Sequence, residues 1–425
     1  MAAPDVAVVG AGLAGLSAAL ELKSNGCRVH VFERSRLIGG RATSFEVAGR
    51  EVDNGQHVFL ACCTEFIRFV ERAGMAEKLY LQPRFEVLVF SRDGERGRLR
   101  AMPLPAPLHL AASFLTYRLL NWRARLRVIG ALRSIKGALH SDQNFAAWLA
   151  DHQQGRDEVR AFWEPFIVPA LNAPLERVRA ADAALVLCRA FFEDAGAARF
   201  GFAKVPLAHI MNAAARNIDE LRLSTAVLSV DVGNDGRPSV QPAGVEPQSY
   251  DAVVLAVPPR QLAKLLRNGA QYGLPALDDY EPMPIIDVHL WHDRGALSFD
   301  FAALIDSPVQ WIFQKAAGYI CCSVSAAQQY VRLPTDELAA LAWDQVRAAI
   351  PELSPASLRN SAVTRNPEAT YLPKNGVVRP MQRTRRSRVA VAGSWTETGW
   401  LDTMESAVRS GITAAQSLEL ERNVA

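Results

Sequence analysis

The fold class the sequence predicts is α/β: a parallel sheet assembled from separated stretches of chain, joined to a second region of mixed α+β character. Three observations carry that expectation. An apolar run, Val6–Val9, leads straight into Gly10, Gly12 and Gly15 and then into residues at helical spacing. Apolar runs of strand length recur in LRLSTAVLSVDV (221–232), DAVVLAVPP (251–259) and RVAVAGSW (388–395). The stretches between them are too long for loops and hold helix and strand patterns of their own.

The totals set the frame. A chain of 425 residues exceeds one hydrophobic core, so two or three domains are expected. Apolar residues at 49% and charged residues at 21% describe a globular protein. A net charge of +3 is too small to argue for nucleic acid as a partner. Six cysteines in two adjacent pairs and two singles have no CxxC or metal-ligand spacing, which predicts reduced core thiols and no metal site. The Val6–Leu20 run lacks a basic flank and contains the three glycines, so it does not resemble a signal peptide. With no long Pro-free apolar span, a cytoplasmic protein is expected.

Each element of the first forty residues has a reason. Val6–Val9 suits a strand buried on both faces. Gly10-Ala11-Gly12 and Gly15 allow a tight turn and close approach of a pyrophosphate to a helix N-terminus. Leu13, Leu16, Ala19, Leu20 and Lys23 continue at helical spacing until Asn25-Gly26 ends the helix. Val29, Val31 and Glu33 alternate along the next strand, and Glu33 stands where an acid accepts a ribose diol. A GxGxxG alone also fits a Gly-rich turn in another α/β protein. Strand, loop, helix, strand and acid together predict a Rossmann-type dinucleotide-binding domain.

The residues after the acid distinguish the cofactor. RSRLIGGR (34–41) is a basic, double-Gly turn whose Arg adds donors for the same pyrophosphate. This stretch resembles the flavin-containing amine oxidase and polyprene desaturase superfamily. VDNGQHVF (52–59), with Asp53 and Gly55 at the superfamily's Asp-x-Gly turn, extends the resemblance, as does GSWTETGWLDTMESAVRSG (393–411). The resemblance implies FAD, with contacts from Gly10, Ala11, Gly12, Gly15, Glu33, Arg34, Gly40, Arg41 and Ala42. Val227 would lie on the adenine side, and Ser394, Thr403 and Met404 near the other end. It implies an FAD-binding domain made of 1–90, 201–265 and 387–425, and a substrate-binding domain made of 91–200 and 266–386.

Asp402-Thr403-Met404-Glu405 reads as a capping box, with Asp402 as N-cap and Glu405 reaching back. Met404, Val408, Gly411, Ala415 and Leu418 then mark one face of a closing helix whose N-terminus favours an anion, as reduced flavin is. Most superfamily members have an Asp where this chain has Ser394. Members that attach flavin covalently use a Cys in this turn; WTETGWLDT has none, so non-covalent FAD is implied.

WTETGW, DNGQHVFLACCTEF (53–66), PLPAPLHL (103–110) and WEPFIVPALNAP (163–174) resemble the bacterial hydroxysqualene dehydroxylase branch. That implies reduction of a C30 isoprenoid alcohol to squalene in hopanoid biosynthesis, with reduced FAD as hydride source, and leaves the electron donor open. An FAD-dependent polyprene desaturase or amine oxidase is the alternative within enzymes. A non-enzymatic prenyl-lipid escort protein is the alternative outside them, although it would not need Glu33, Gly39-Gly40-Arg41 and the closing helix. The proton donor for the leaving hydroxyl has three candidates. His57 follows the Asp53 turn, and the competing reading is a neutral histidine bonded to backbone. Glu164, between Trp163 and Pro165, would have a raised pKa in an apolar domain or would pair with an Arg. Glu397 is near the closing turn in sequence.

From Arg96 to Ser141 there are nine Arg or Lys and no acid. Leu115, Leu119, Trp122, Leu126, Ile129 and Leu132 keep helical spacing among arginines, which fits either peripheral contact with an anionic membrane or a solvated surface helix. RPMQRTRRSR (379–388) reads as a solvated loop face, with lipid-phosphate contact as the alternative.

Overall fold

The computed structural model describes residues 3–47, 49–374 and 376–420. Its organising element is a five-stranded parallel sheet in the order Glu220–Arg222, Arg28–Phe32, Asp5–Val9, Ala252–Leu255, Val389–Val391. Both faces are covered. Val6, Val8 and Val254 pack with the helices Leu13–Ser24 and Met404–Ser417, while Ala7, Val9 and Leu255 pack beneath a meander of Val227–Val232, Pro238–Pro242 and Gln248–Ser249. This two-sided burial explains why these strands are apolar runs without alternation. Residues 221–232, expected as one bent strand, divide at Ser224 (φ +51°): the first part joins the parallel sheet and the second the meander.

Helices from opposite ends of the chain touch closely. A Cβ at Gly411 would stand 2.2 Å from the Ala14 carbonyl oxygen, and Ser17 Oγ donates to Val408 O at 3.0 Å. The predicted N-cap is corrected. Thr403 caps the closing helix, its hydroxyl accepting from Ser406 N–H at 3.4 Å. Glu405 does not turn back; its buried carboxylate accepts Glu65 and Phe66 N–H, capping the neighbouring helix Thr64–Arg72.

A seven-stranded sheet builds the second region, in the order Leu358–Pro373, Tyr280–His292, Tyr319–Val324, Trp311–Ala316, Phe301–Ile305, Glu86–Ser91, Arg96–Arg100. Glu86–Ser91, grouped by the sequence reading largely with the first segment, pairs parallel to Phe301–Ile305 in this sheet. One face packs on the helix Thr335–Ala349; the other meets helices between residues 111 and 192.

The helix Trp122–Ser134 turns small residues inward and large apolar ones outward. Ala124, Val128 and Ala131 are buried, whereas Leu115, Trp122 and Leu126 are each more than half exposed. The small residues join a close-packed apolar cluster with Tyr117, Leu120 and Trp163. Among the described residues no helix is long and apolar enough to cross a membrane.

Candidate functional site

A cavity of about 790 Å³ follows the C-terminal ends of the parallel strands, where open α/β sheets hold ligands. At one end it is lined by Gly10, Gly12, Glu33, Arg34 and Val227. Gly10 has φ +104°, and a Cβ there would lie 2.4 Å from Ala256 O. Glu33 is buried, its Oε2 accepting Ala11 N–H and its Oε1 accepting Ser35 N–H, both at 2.8 Å. These bonds hold the carboxylate at the cavity edge with lone pairs left to accept further hydrogen bonds. Two expected contacts stand behind the wall. Ala11 is fully buried and orients Glu33; Gly15 lets the helix sit on the loop, since its Cβ would be 1.9 Å from Gly10 O.

The middle of the cavity is a facing pair of glycine turns. Gly39 N–H donates to Ala11 O at 2.8 Å, and a Cβ on Gly40, already at φ +58°, would meet Gly12 Cα at 3.2 Å. Gly40, Arg41 and Ala42 line the cavity. A wall of backbone with no side chains, closed by an acid at one end, fits a dinucleotide pyrophosphate. Arg41 differs from expectation: its guanidinium donates to Ala369 O at 2.8 Å, to Asp402 Oδ1 at 3.2 Å and to Ser394 Oγ at 2.5 Å, lying over the Tyr371 ring.

Asp402 is the residue that sequence reasoning misassigned. It lines the cavity, accepts from Tyr371 N–H at 2.6 Å, pairs with Arg41 and receives a hydrogen bond from Ser394 Oγ. The negative charge absent at Ser394 is therefore supplied by its hydrogen-bonded neighbour. Beyond Asp402, Thr403 and Met404 bring the N-terminus of a 14-residue helix to the cavity wall. Its first N–H groups and dipole favour negative charge there. No cysteine lies in the turn before that helix; Cys62 and Cys63 line the cavity from another element.

The far end is apolar, with Phe166, Ile167, Phe200, Trp311 and Phe313 in its wall. His57 lines it too. Its Nδ1–H donates to Gly55 O at 2.8 Å, and burial pushes its pKa down against the opposing Asp53 charge. A neutral ring with Nδ1 protonated has an accepting Nε2, so His57 is better suited to receive a hydrogen bond than to give up a proton. Asp53 braces this turn, accepting from Ser44 Oγ at 2.7 Å and Leu207 N–H at 2.8 Å. Glu164 is corrected: it is exposed, does not line the cavity and has no ion pair among the described residues. Partial desolvation, with Glu176 and Asp306 nearby, raises its pKa without bringing it to the site. Glu397 is exposed and accepts Gly399 N–H.

A dinucleotide cradle opening into an apolar chamber defines a flavin-dependent oxidoreductase. The chain belongs to the flavin containing amine oxidoreductase family, whose model matches residues 13–418. It is 28% identical over 436 residues to a hydroxysqualene dehydroxylase of Zymomonas mobilis, covering 96% of this chain and 97% of that one. A zeta-carotene desaturase of Arabidopsis thaliana is 24% identical over 473 residues, covering 96% and 84%. In fold the chain is similar to wild-type putrescine oxidase bound to putrescine, with a TM-score of 0.74 at 18% identity over 97% of this chain and 98% of that one.

Proposed function

We propose that the protein is an FAD-dependent hydroxysqualene dehydroxylase, converting a C30 allylic alcohol to squalene and water for hopanoid biosynthesis. The observation that carries this reading is the single cavity joining a dinucleotide cradle to a chamber walled by Phe166, Phe200, Trp311 and Phe313. Similarity to hydroxysqualene dehydroxylases along nearly the whole chain supports it. Reduced FAD, when bound, supplies the hydride.

The chain's own residues do the rest. Glu33 holds the ribose, and Gly10–Gly12 with Gly39–Ala42 hold the pyrophosphate. Arg41, Ser394 and Asp402 fix the closing turn, and the N-terminus of the Met404–Ser417 helix favours developing negative charge. The aromatic wall excludes water, protecting an allylic cation from capture. His57 Nε2 accepts a hydrogen bond from the substrate hydroxyl and orients its oxygen. A cysteine-free turn before the helix supports non-covalent FAD, which acid denaturation would release as free yellow cofactor. A water-insoluble substrate and exposed Leu108, Leu115, Trp122 and Leu126 among arginines support peripheral contact with the cytoplasmic face of an anionic membrane.

The test is anaerobic. Enzyme reduced with dithionite and mixed with hydroxysqualene should regain its oxidised absorbance while squalene appears. Flavin that stays reduced, with oxidised enzyme bleached by squalene or an amine, would establish the oxidative reading instead.

A further inference from the structure

The dehydroxylation reading needs a proton for the departing hydroxyl, and neither His57 nor Glu164 supplies one. A carboxyl behind the cavity wall does meet the need. Asp287 lies midway along the strand Tyr280–His292 and is 1% exposed. It has no ion-pair partner among the described residues. Burying a carboxylate without a cation is costly, so such a group calls for a reason.

Its surroundings connect it to the chamber. Asp287 is the register partner of Ser323 on the adjacent strand, so the two side chains share a face. Ser323 lines the cavity, and its side chain draws the Asp287 pKa down against the larger upward effect of burial. On top lies the 55–57 turn: a Cβ on Gly55 would stand 3.3 Å from Asp287 Oδ2 and 3.7 Å from His57 Cε1, and the Gln56 backbone favours the ionised carboxyl. Cys321 Sγ approaches Oδ1 at 3.8 Å, Lys315 contributes a distant positive charge, and Thr364 is the register partner on the other side. Further along the same strand and face, His289 Nδ1 bonds to Tyr319 Oη at 2.8 Å.

We propose that Asp287 is a proton store for the reaction, acting through the Ser323 hydroxyl as a positioning residue that does not touch substrate. The inference rests on the dehydroxylation reading. The allylic C–O bond breaks and its oxygen leaves as water with one proton from Ser323 Oγ. Ser323 recovers that proton from Asp287, which becomes a carboxylate and is recharged from solvent. The carbon receives the electron pair of a hydride in its new C–H bond, the reductant being the reduced flavin of the proposed reaction. Burial pushes the Asp287 pKa up to about 6, close enough to neutrality for both forms to be reached.

Single-turnover flavin reoxidation by hydroxysqualene, followed from pH 5 to 8, tests this in wild type, Asp287→Asn, Asp287→Glu and Ser323→Ala. Expected are a wild-type rate that falls as pH rises through about 6, and an Asp287→Asn rate about 100-fold lower and flat with pH. Asp287→Glu should restore part of both, and Ser323→Ala should be slow. A separate readout needs no turnover: infrared titration of the flavin-free protein should show a carboxylic C=O band near pH 5 that is absent from Asp287→Asn. Wild type that turns over beside an equally fast, equally pH-dependent Asp287→Asn overturns the relay alone. Wild type inert toward hydroxysqualene overturns the dehydroxylation reading, and the relay with it. Absence of the infrared band overturns the proton store whatever the rates.

Discussion

Ser394, Asp402 and Arg41 behave as one unit, and their coupling makes a prediction that single positions do not. Ser394→Asp would restore the residue most superfamily members carry, yet it would place a second carboxylate against Asp402. Like charges in contact are repulsive, so the single variant should hold flavin at least tenfold more weakly. Adding Asp402→Asn should recover most of that loss, read as flavin content from the ratio of visible to protein absorbance. Asp402→Asn alone leaves Arg41 short of charge. With Arg41 partly solvent-exposed, about 1–2 kcal/mol of stability should be lost. Asp287 has the opposite sign. Its folded-state pKa lies above the unfolded value, so its contribution is present at low pH and lost as pH rises through about 6. Asp287→Asn should therefore melt higher than wild type at pH 7.5, by up to about 3 kcal/mol of stability, with the gain fading toward pH 4.

At the scale of elements, the contact between the first helix and the closing helix holds the two halves of the cradle together. Gly411→Val should force them apart against the Ala14 carbonyl, costing about 1–3 kcal/mol and reducing flavin content with it. The glycine loop, the Glu33 strand end and the closing helix were legible in sequence because each is local: a period, a cap or a turn within some twenty residues. The failures share one cause. Glu405 caps a helix through a backbone N–H 340 residues away, Asp402 answers an arginine in the first segment, and Asp287 matters only beside Ser323 and Gln56. None of these partners lies within reach of a local pattern. The Trp122–Ser134 stretch left two readings open for a related reason: its local pattern does not say which residues meet the core, and there Ala124, Val128 and Ala131 are buried.

For the whole molecule, the outward side of the Trp122–Ser134 helix sets the expected mode of membrane contact. Trp122 and Leu126 lie one turn apart, Leu115 is tied to the same helix by Arg125, and Arg118, Arg123, Arg133 and Lys136 have no carboxylate partner among the described residues. Binding to phosphatidylglycerol vesicles should be lost in a Leu115→Ser, Trp122→Ser, Leu126→Ser triple variant and should weaken in high salt, while phosphatidylcholine vesicles bind little. Flavin content should be unchanged in that variant, since none of the three residues lines the cavity. The docking of the closing helix has a further consequence in time. Ser17 Oγ must wait for Val408, 391 residues later, and the edge strand Val389–Val391 emerges just before it. At about 5–20 residues per second, the first helix spends roughly 20–80 s of synthesis without its partner. The cofactor cradle is therefore completed only once the closing helix has been made, and a nascent chain stalled before residue 389 has nowhere to hold its flavin.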